Sequence, residues 1–282
     1  MSNETTQMPH TSLGETALDV AERAARVAGR VIMERFPEMT GPASERRVLV
    51  SNKGWNNLVT DVDRTAEAAV LEVLTTAFPA FSVLAEESGG TTGTEPYTWY
   101  IDPIDGTRNF ASGIPHLAVN IALSHQGRLI VGVTLDPVRD EMFSATLGGG
   151  TFLNGKRVTV SETAELVDSV LGFDMGYVDE RGRHLLEMLL GLWPGMQSIR
   201  LMGSAALGMA YAAVGRVQIY AHHHVQPWDI APGILLVQEA GGTVTDIEGR
   251  DIQPESGTVV AAGPLIHSRF MAATEDTAWR KG

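Results

Sequence analysis

The stretch Tyr100–Gly113, YIDPIDGTRNFASG, places two aspartates three positions apart at the end of an apolar run. Pro103 has no backbone N–H, so a strand that reaches Asp102 cannot continue its hydrogen-bond ladder there. We therefore expect a turn on which Asp102 and Asp105 converge, and each raises the pKa of the other unless a cation lies between them. An ordinary turn is the alternative, because Asp, Pro and Gly are all common turn formers. This stretch alone does not decide between a cation-binding turn and an ordinary turn.

Acidic residues also border three other predicted elements. Glu86 and Glu87 follow the apolar FSVL, so they are either metal ligands at a strand end or a solvated strand terminus. Asp63 lies three positions after the predicted N-cap Thr60, which fits a capping box or the positive end of a helix. Asp229, in QPWDIAPG, predicts a further helix start. Each acid has an ordinary structural explanation when it is taken alone.

Composition narrows the classes of function. The 282 residues can form one large domain or two closely joined ones. A formal net charge of -13 argues against nucleic-acid or anionic-membrane binding, since both need a positive surface. There is no cysteine, which excludes disulfides, thiol catalysis and cysteine-zinc sites. The N-terminus has no apolar signal segment and no apolar run has membrane length, so a cytoplasmic location is expected.

Hydrophobic spacing predicts the helices and strands. The first helix is expected from Gly14 to Arg35, with Ser12 and Glu15 as its capping box. A second begins after Thr60 and ends before Pro79. Further helices are predicted at Arg181–Leu190, Ser204–Val214, Asp229–Ala240 and Pro264–Ala273. Strands are predicted at 81–88 and 97–102, as a meander over 117–160, and at Ser169–Phe173, Val217–Tyr220, Thr243–Asp246 and Thr258–Ala262.

The order of these elements predicts the fold class. A meander-rich first half and an alternating second half favour an α/β layered sandwich with two sheets. We expect a disordered tail (1–13), an N-terminal metal-binding α+β subdomain (14–160) and a C-terminal α/β subdomain (161–282), joined in one compact unit.

Four stretches in order, LVTDVD, AEES, WYIDPIDGTRNF and QPWDIAPGILLVQEAGG, resemble the inositol monophosphatase family of magnesium-dependent, lithium-sensitive sugar phosphatases. The similarity covers most of the chain. It implies an α/β (α+β) fold, a layered α-β-α-β-α sandwich with a largely antiparallel N-terminal sheet and a mixed C-terminal sheet. It also implies a homodimer with two to three Mg²⁺ per active site. The implied reaction is hydrolysis of a small sugar or polyol phosphate monoester, such as inositol 1-phosphate, by direct attack of metal-activated water.

The resemblance also implies roles for residues of this chain. The implied ligands of one metal are Glu86, Asp102 and the carbonyl of Ile104, and those of a second are Asp102, Asp105 and Asp229. The implied catalytic residues are Asp63, Glu86 and Thr107, of which Asp63 and Thr107 help to activate the attacking water. The implied substrate contacts are Asp105, Gly106, Thr107, Gly203, Ser204, Ala205, His222 and Asp229. Such a site is chemically consistent, because Mg²⁺ reverses the field of carboxylates that would otherwise repel a phosphate.

Three positions depart from the pattern of the family. Pro232 replaces a small residue in WDIAPG, and a proline in the first turn is tolerated, so Asp229 should keep its place. His222 lies about where inositol-hydrolysing members carry a glutamate that grips substrate hydroxyls, which weakens the case for inositol monophosphate. Arg108 lies where relatives often have threonine or lysine, and it either contacts an anionic substrate or forms a surface pair.

The triplet His222–His224 suggests a zinc site, which we discount. Neighbouring side chains on a strand point to opposite faces, so three in a row cannot easily share one ion. A solvated strand end, or one histidine lining a pocket, is expected.

Two other kinds of function are alternatives. One is a related phosphatase acting on fructose 1,6-bisphosphate, histidinol phosphate or a 3'-phosphonucleotide. The other is a regulatory binding protein on the same fold, since some relatives have partners in the transcription machinery. A full set of mutually repelling carboxylates favours the enzyme. The expected partner is a small phosphorylated metabolite, with no membrane and no direct nucleic-acid binding.

Overall fold

The structure, a computed structural model, describes residues 8–42, 50–54, 57–176 and 179–281. Their helices are α1 (Ala17–Arg35), α2 (Pro37–Thr40), α3 (Asp61–Ala77), α4 (Thr107–Ser112), α5 (Asp179–Leu192), α6 (Ala205–Ala213), α7 (Pro227–Glu239) and α8 (Pro264–Ala273). Their strands are β1 (Val50–Gly54), β2 (Asn57–Thr60), β3 (Ser82–Ala85), β4 (Gly89–Thr91), β5 (Tyr97–Asp105), β6 (Ala118–His125), β7 (Arg128–Asp136), β8 (Glu141–Thr146), β9 (Gly150–Leu153), β10 (Lys156–Val158), β11 (Val170–Asp174), β12 (Ser198–Leu201), β13 (Ile219–His222), β14 (Thr243–Thr245) and β15 (Val259–Ala262).

Two large sheets are built from these strands. The first has the order β10-β9-β8-β7-β6-β5-β3-β4 and is antiparallel except between β3 and β5. The second has the order β12-β11-β13-β15-β14, with two parallel and two antiparallel pairings. Strands β1 and β2 form a separate antiparallel pair. The predicted meander, the largely antiparallel first sheet and the mixed second sheet are all confirmed.

Three apolar clusters set the order of the layers. Helices α1 and α3 cover one face of the first sheet, α6 and α7 lie between the sheets, and α5 and α8 cover the outer face of the second. The predicted α-β-α-β-α sandwich is therefore confirmed. Small residues let α1 approach the sheet closely, since a Cβ atom at Gly29 would lie 2.9 Å from Leu135 Cδ2. None of the helices in the described part of the chain is long and apolar enough to cross a membrane.

Helix α1 begins three residues later than predicted, and the predicted capping box of Ser12 and Glu15 is wrong. Thr16 is the N-cap: its hydroxyl oxygen accepts the Asp19 N–H at 3.1 Å, and its own N–H donates to Asp19 Oδ2 at 2.9 Å. Glu15 belongs to the preceding turn, where its carbonyl accepts the Thr11 N–H at 2.9 Å. Helices α5, α6 and α7 differ from prediction by one or two residues at their ends, and α8 has its predicted bounds.

The proposed division of the chain stays a prediction. Residues 1–7 of the predicted tail lie outside the described residues. Met8, which follows them, packs against the apolar core between α1, α3 and the first sheet. The first sheet ends at Val158 and the second begins at Val170, so the expected boundary near residue 160 falls between the two sheets.

Candidate active site

Strand β5 delivers Asp102 and Asp105 through a bulge. The prediction that the ladder ends at Asp102 is wrong, because β5 pairs with β6 again at Asp105 after a shift in register. Pro103 and Ile104 fall in the gap, where the missing proline N–H breaks no ladder bond. The Ile104 N–H donates to Asp102 Oδ1 at 3.0 Å, which closes the bulge. The bulge directs both carboxylates into the same site.

Helix α4 begins at a backbone position that requires glycine. Gly106 has φ +97°, a left-handed conformation that other residues rarely adopt. A Cβ atom there would lie 3.1 Å from the carbonyl oxygens of both Gly203 and His116. Gly106 therefore lets the chain after Asp105 pack directly against the loop that contains Gly203.

Helix α3 places Asp63 beside this turn. The predicted capping box is confirmed: the Thr60 N–H donates to Asp63 Oδ2 at 2.8 Å, and the Thr60 hydroxyl donates to the same oxygen. The Thr107 hydroxyl lies 3.0 Å from both Asp63 Oδ1 and the Ile104 carbonyl oxygen, and its one proton can serve only one of them. Burial raises the pKa of Asp63 to about 6, although these hydrogen bonds oppose the shift. Capping the helix and facing the site are thus compatible roles.

The three aspartates of the predicted second metal site come together. One carboxylate oxygen from each of Asp102, Asp105 and Asp229 lies within 4.8 Å of the other two. Burial raises the pKa of all three, and the nearby charge of Glu86 raises each pKa further. A divalent cation among these oxygens would relieve that repulsion, and an all-oxygen donor set is the one that Mg²⁺ prefers. The residues present therefore fit the implied metal.

The start of α6 fixes the orientation of Asp105. The Ser204 hydroxyl and the Ala206 N–H, the latter at 2.8 Å, both donate to Asp105 Oδ2. Ser204 is also the N-cap of α6, since its hydroxyl oxygen accepts the Leu207 N–H at 3.2 Å. The buried Ser204 hydroxyl thus supports an acid of the site, while the neighbouring Gly203 is exposed.

Helix α7 carries Asp229 and tolerates Pro232 for a different reason from the one predicted. The helix begins two residues before Asp229, so Pro232 is its sixth residue and lies inside the helix instead of in the first turn. The missing N–H of Pro232 frees the carbonyl of Trp228. The buried Asn120 side chain on β6 replaces that donor, with Nδ2 lying 2.9 Å from the Trp228 carbonyl oxygen and 2.8 Å from that of Asp229. As predicted, Asp229 keeps its place.

These side chains surround a cavity of about 650 Å³. The predicted site residues that line it are Glu86, Asp102, Ile104, Asp105, Gly106, Thr107, Gly203, Ser204, Ala205, His222 and Asp229. Arg108 also lines it, and its two alternative roles, contact with an anionic substrate or a surface pair, both stay predictions. Among the described residues Glu87 is not part of the lining, and Asp63 lies behind Thr107.

Comparison with known proteins places the chain in a family. The family model described as "Inositol monophosphatase family" matches residues 14–278. The chain belongs to the inositol monophosphatase family. The predicted resemblance is confirmed.

Relatives in this family bear two kinds of name. The inositol-1-monophosphatase of Mesorhizobium japonicum is 38% identical over 92% of this chain and 96% of its own length. The Nus factor SuhB of Salmonella typhimurium is 39% identical over 92% and 96%. The crystal structure of the extragenic suppressor protein suhB from Bartonella henselae is 36% identical, with a TM-score of 0.86 over 92% of this chain and 98% of that one.

Histidine forms part of the cavity wall in this family member. His222 Nδ1 accepts the His224 N–H at 3.0 Å, so the proton of the neutral imidazole lies on Nε2. Burial lowers the pKa of His222 to about 3, which keeps the ring neutral at physiological pH. His224 also lines the cavity, whereas both ring nitrogens of His223 are buried without a hydrogen-bond partner. Only His222 belongs to β13, so the predicted alternation of faces along a strand is wrong for this triplet: side-chain atoms of all three histidines lie within 3.4 Å of the position that a Cβ atom of Gly176 would take. Two of the histidines line the cavity where one was expected, and His222 offers a neutral donor.

Three residues that sequence reasoning missed secure the loop at Gly203. The Gly203 N–H donates to the carboxylate of the buried Asp174, and the Tyr220 hydroxyl donates to Asp174 Oδ2 at 2.8 Å. From the opposite side, Asn109 Nδ2 donates to the Gly203 carbonyl oxygen at 3.1 Å. Burial raises the pKa of Asp174 to about 7. A signal for Asp174 was present, since this acid directly follows the predicted strand Ser169–Phe173, just as Glu86 follows the apolar FSVLA.

Proposed function

We propose that this chain is a magnesium-dependent phosphatase of a small sugar or polyol phosphate monoester, inositol-1-phosphate-like, acting by direct attack of metal-activated water. The observation that carries the proposal is the convergence of Asp102, Asp105 and Asp229, with ligand oxygens within 4.8 Å of one another in one cavity. Membership of the inositol monophosphatase family supports the same reaction class. A binding protein has no need to hold three mutually repelling carboxylates together.

Each acid has a defined task in this proposal. One ion would be held by Glu86, Asp102 and the Ile104 carbonyl. A second ion would be held by Asp102, Asp105 and Asp229. A third ion would bind more weakly. Bound Mg²⁺ supplies charge neutralisation for the phosphate and lowers the pKa of a water molecule. The amides of Gly106 and Thr107 are proposed to contact the phosphate.

Asp63 and Thr107 are proposed to position the attacking water and to accept its proton. When the Thr107 hydroxyl donates to Asp63 Oδ1, its oxygen is free to accept a hydrogen bond from that water. The proton then passes through Thr107 Oγ to Asp63 Oδ1. Burial raises the pKa of Asp63 in the metal-free site above that of an ordinary aspartate, which makes its carboxylate a more basic acceptor.

A panel assay tests the reaction. Released phosphate is measured for inositol 1-phosphate, fructose 1,6-bisphosphate, histidinol phosphate and a 3'-phosphonucleotide, with Mg²⁺, with chelator and with Li⁺. We expect turnover on at least one monoester that needs Mg²⁺ and that Li⁺ inhibits. A flat response across the panel would contradict the proposal and favour the regulatory candidate.

His222 is proposed to select the alcohol part of the substrate. With Nδ1 occupied as an acceptor, its Nε2–H can donate a hydrogen bond, whereas a carboxylate at this position accepts hydrogen bonds from hydroxyl groups. We therefore expect His222→Glu to raise kcat/KM for inositol 1-phosphate relative to the other monoesters by about tenfold, the factor that one such contact supplies. His222→Gln, which keeps a neutral donor, is the control. An unchanged substrate ranking in His222→Glu would remove this role.

A regulatory role is the second candidate, favoured by one comparison. The Nus factor SuhB of Salmonella typhimurium is as similar to this chain as the named phosphatase is. The same fold can carry both roles. Turnover in the panel assay would therefore establish the enzyme without excluding a regulatory partner.

A homodimer remains part of the proposal. The end of α5 and the residue after it expose large apolar side chains, each at least 46% accessible: Leu186, Leu190 and Trp193. Exposed apolar surface of this kind is typical of a subunit interface.

A further inference from the structure

Glu67 is a buried carboxylate outside the predicted set of metal ligands. It lies on α3 one turn after Asp63, so both side chains project from the same face of the helix. Only 2% of Glu67 is exposed, which is rare for glutamate without a compensating partner. Its role is therefore defined by what its two oxygens contact.

Both oxygens of Glu67 accept backbone N–H groups from one short loop. Oε2 lies 2.8 Å from the Glu87 nitrogen, and Oε1 lies 2.8 Å from the Ser88 nitrogen. Hydrogen bonds to an ionised carboxylate are stronger than bonds between neutral groups. Glu67 thus clamps the backbone immediately after Glu86.

The clamp completes the restraint on Glu86. On its other side, the Glu86 N–H donates to the Ile101 carbonyl oxygen at 3.1 Å, which continues the pairing of β3 with β5. Glu86 therefore lies between a sheet hydrogen bond and two bonds to Glu67. The restraint has a force to oppose, because Glu86 and Asp102 line the same cavity and two neighbouring carboxylates repel each other.

We propose that Glu67 is a positioning residue that, through the amides of Glu87 and Ser88, holds Glu86 in the first metal site. This inference rests on the proposed function, which assigns Glu86 as a metal ligand. Glu67 itself touches neither ion nor substrate. Its effect is on the affinity of one site, since Asp105 and Asp229 reach the other site from β5 and α7.

The chain offers a matched control for a purely structural clamp. Glu239 ends α7, and its two oxygens accept the N–H groups of Gly148 at 2.7 Å and Gly150 at 2.9 Å. It lies ten residues, or about 15 Å along the helix, from Asp229. Glu239→Gln therefore removes the same kind of double hydrogen bond at a position remote from the cavity.

The test is binding of Mn²⁺ by isothermal calorimetry, without substrate, together with the Tm in chelator. A glutamine at position 67 has one acceptor, and its amide N–H₂ faces the other backbone donor. We expect Glu67→Gln to weaken the site built on Glu86 by about 10- to 100-fold, the usual effect of changing a residue that orients a metal ligand. Glu239→Gln is expected to lower the Tm comparably and to leave Mn²⁺ binding unchanged.

Each outcome of these measurements supports or overturns the positioning role of Glu67. If Glu67→Gln binds Mn²⁺ like the wild type while its Tm falls like that of Glu239→Gln, the positioning role is overturned and the proposed function stands. If the wild type binds no Mn²⁺, the proposed function fails and the inference fails with it. Should Glu67→Gln not fold, Glu67→Asp carries the test, because its carboxylate retreats about 1.5 Å from both amides. Wild-type affinity in that variant would likewise overturn the role.

Discussion

Asp105→Asn is expected to lower kcat by about a thousandfold or more while leaving the fold intact, because a metal ligand stabilises charge in the transition state by several kcal/mol. The substitution removes one negative charge but keeps an oxygen that can accept from Ser204 and Ala206. Removing that charge also relieves the repulsion among Asp102, Asp105 and Asp229. The Tm in chelator should therefore equal or exceed that of the wild type, while the increase in Tm on adding Mg²⁺ should shrink.

Asp246→Asn is the matched control for Asp105→Asn. Asp246 is also buried, but it accepts the N–H groups of Glu248 and Arg250 in a turn that is not part of the cavity lining. This variant should lose stability and keep its turnover per folded molecule. Steady-state kinetics and thermal melts of both variants separate the two patterns. Near-normal turnover in Asp105→Asn would show that the metal assignment is wrong.

Asp63→Asn is expected to lower kcat by about 10²- to 10⁴-fold, the usual contribution of a general base, with little change in Mg²⁺ affinity. The Thr60 N–H and hydroxyl both require an acceptor at one oxygen of residue 63. The other side-chain atom would then be the amide nitrogen, which donates to Thr107 and reverses the direction of that hydrogen bond. Single-turnover kinetics at saturating Mg²⁺ measure the loss.

The capping box of α1 supplies the control for Asp63→Asn. Thr16 and Asp19 form the same box as Thr60 and Asp63, but on the surface. Asp19→Asn should lower the Tm slightly and leave kcat unchanged, because capping alone contributes about 1 kcal/mol. A near-normal kcat in Asp63→Asn, or a loss of Mg²⁺ affinity as large as that in Asp105→Asn, would contradict the assignment of Asp63 as the base.

Local sequence patterns predicted that the helices exist more accurately than they predicted the residue at which each helix begins. Thr60 was identified because its capping partner lies three residues on and an apolar helical face follows. The same rule selected Ser12 for α1, where several polar residues precede the helix and Thr16 with Asp19 satisfies the pattern equally well. The later start changes nothing at the site, because α1 packs on the outer face of the first sheet and none of its residues is part of the cavity lining.

The features that the sequence could not predict depend on contacts between distant residues. Pro232 appeared to lie in a first turn, and only the fold shows that Asn120, on another element, satisfies the carbonyl that it frees. Glu67 occupies an ordinary position on an amphipathic helix, and its partners lie 20 and 21 residues further along the chain. Such residues have no signature of their own, because their function is defined by the loop that folds against them.

The position of divalent ions in crystals soaked in MnCl₂ tests most directly whether these acids form a metal centre. We predict anomalous peaks within about 2.2 Å of oxygens of Asp102, Asp105 and Asp229, with Glu86 and the Ile104 carbonyl on a neighbouring peak. Crystals that show no peak in this cavity, or that show the carboxylates turned away from one another toward solvent, would contradict the proposed chemistry.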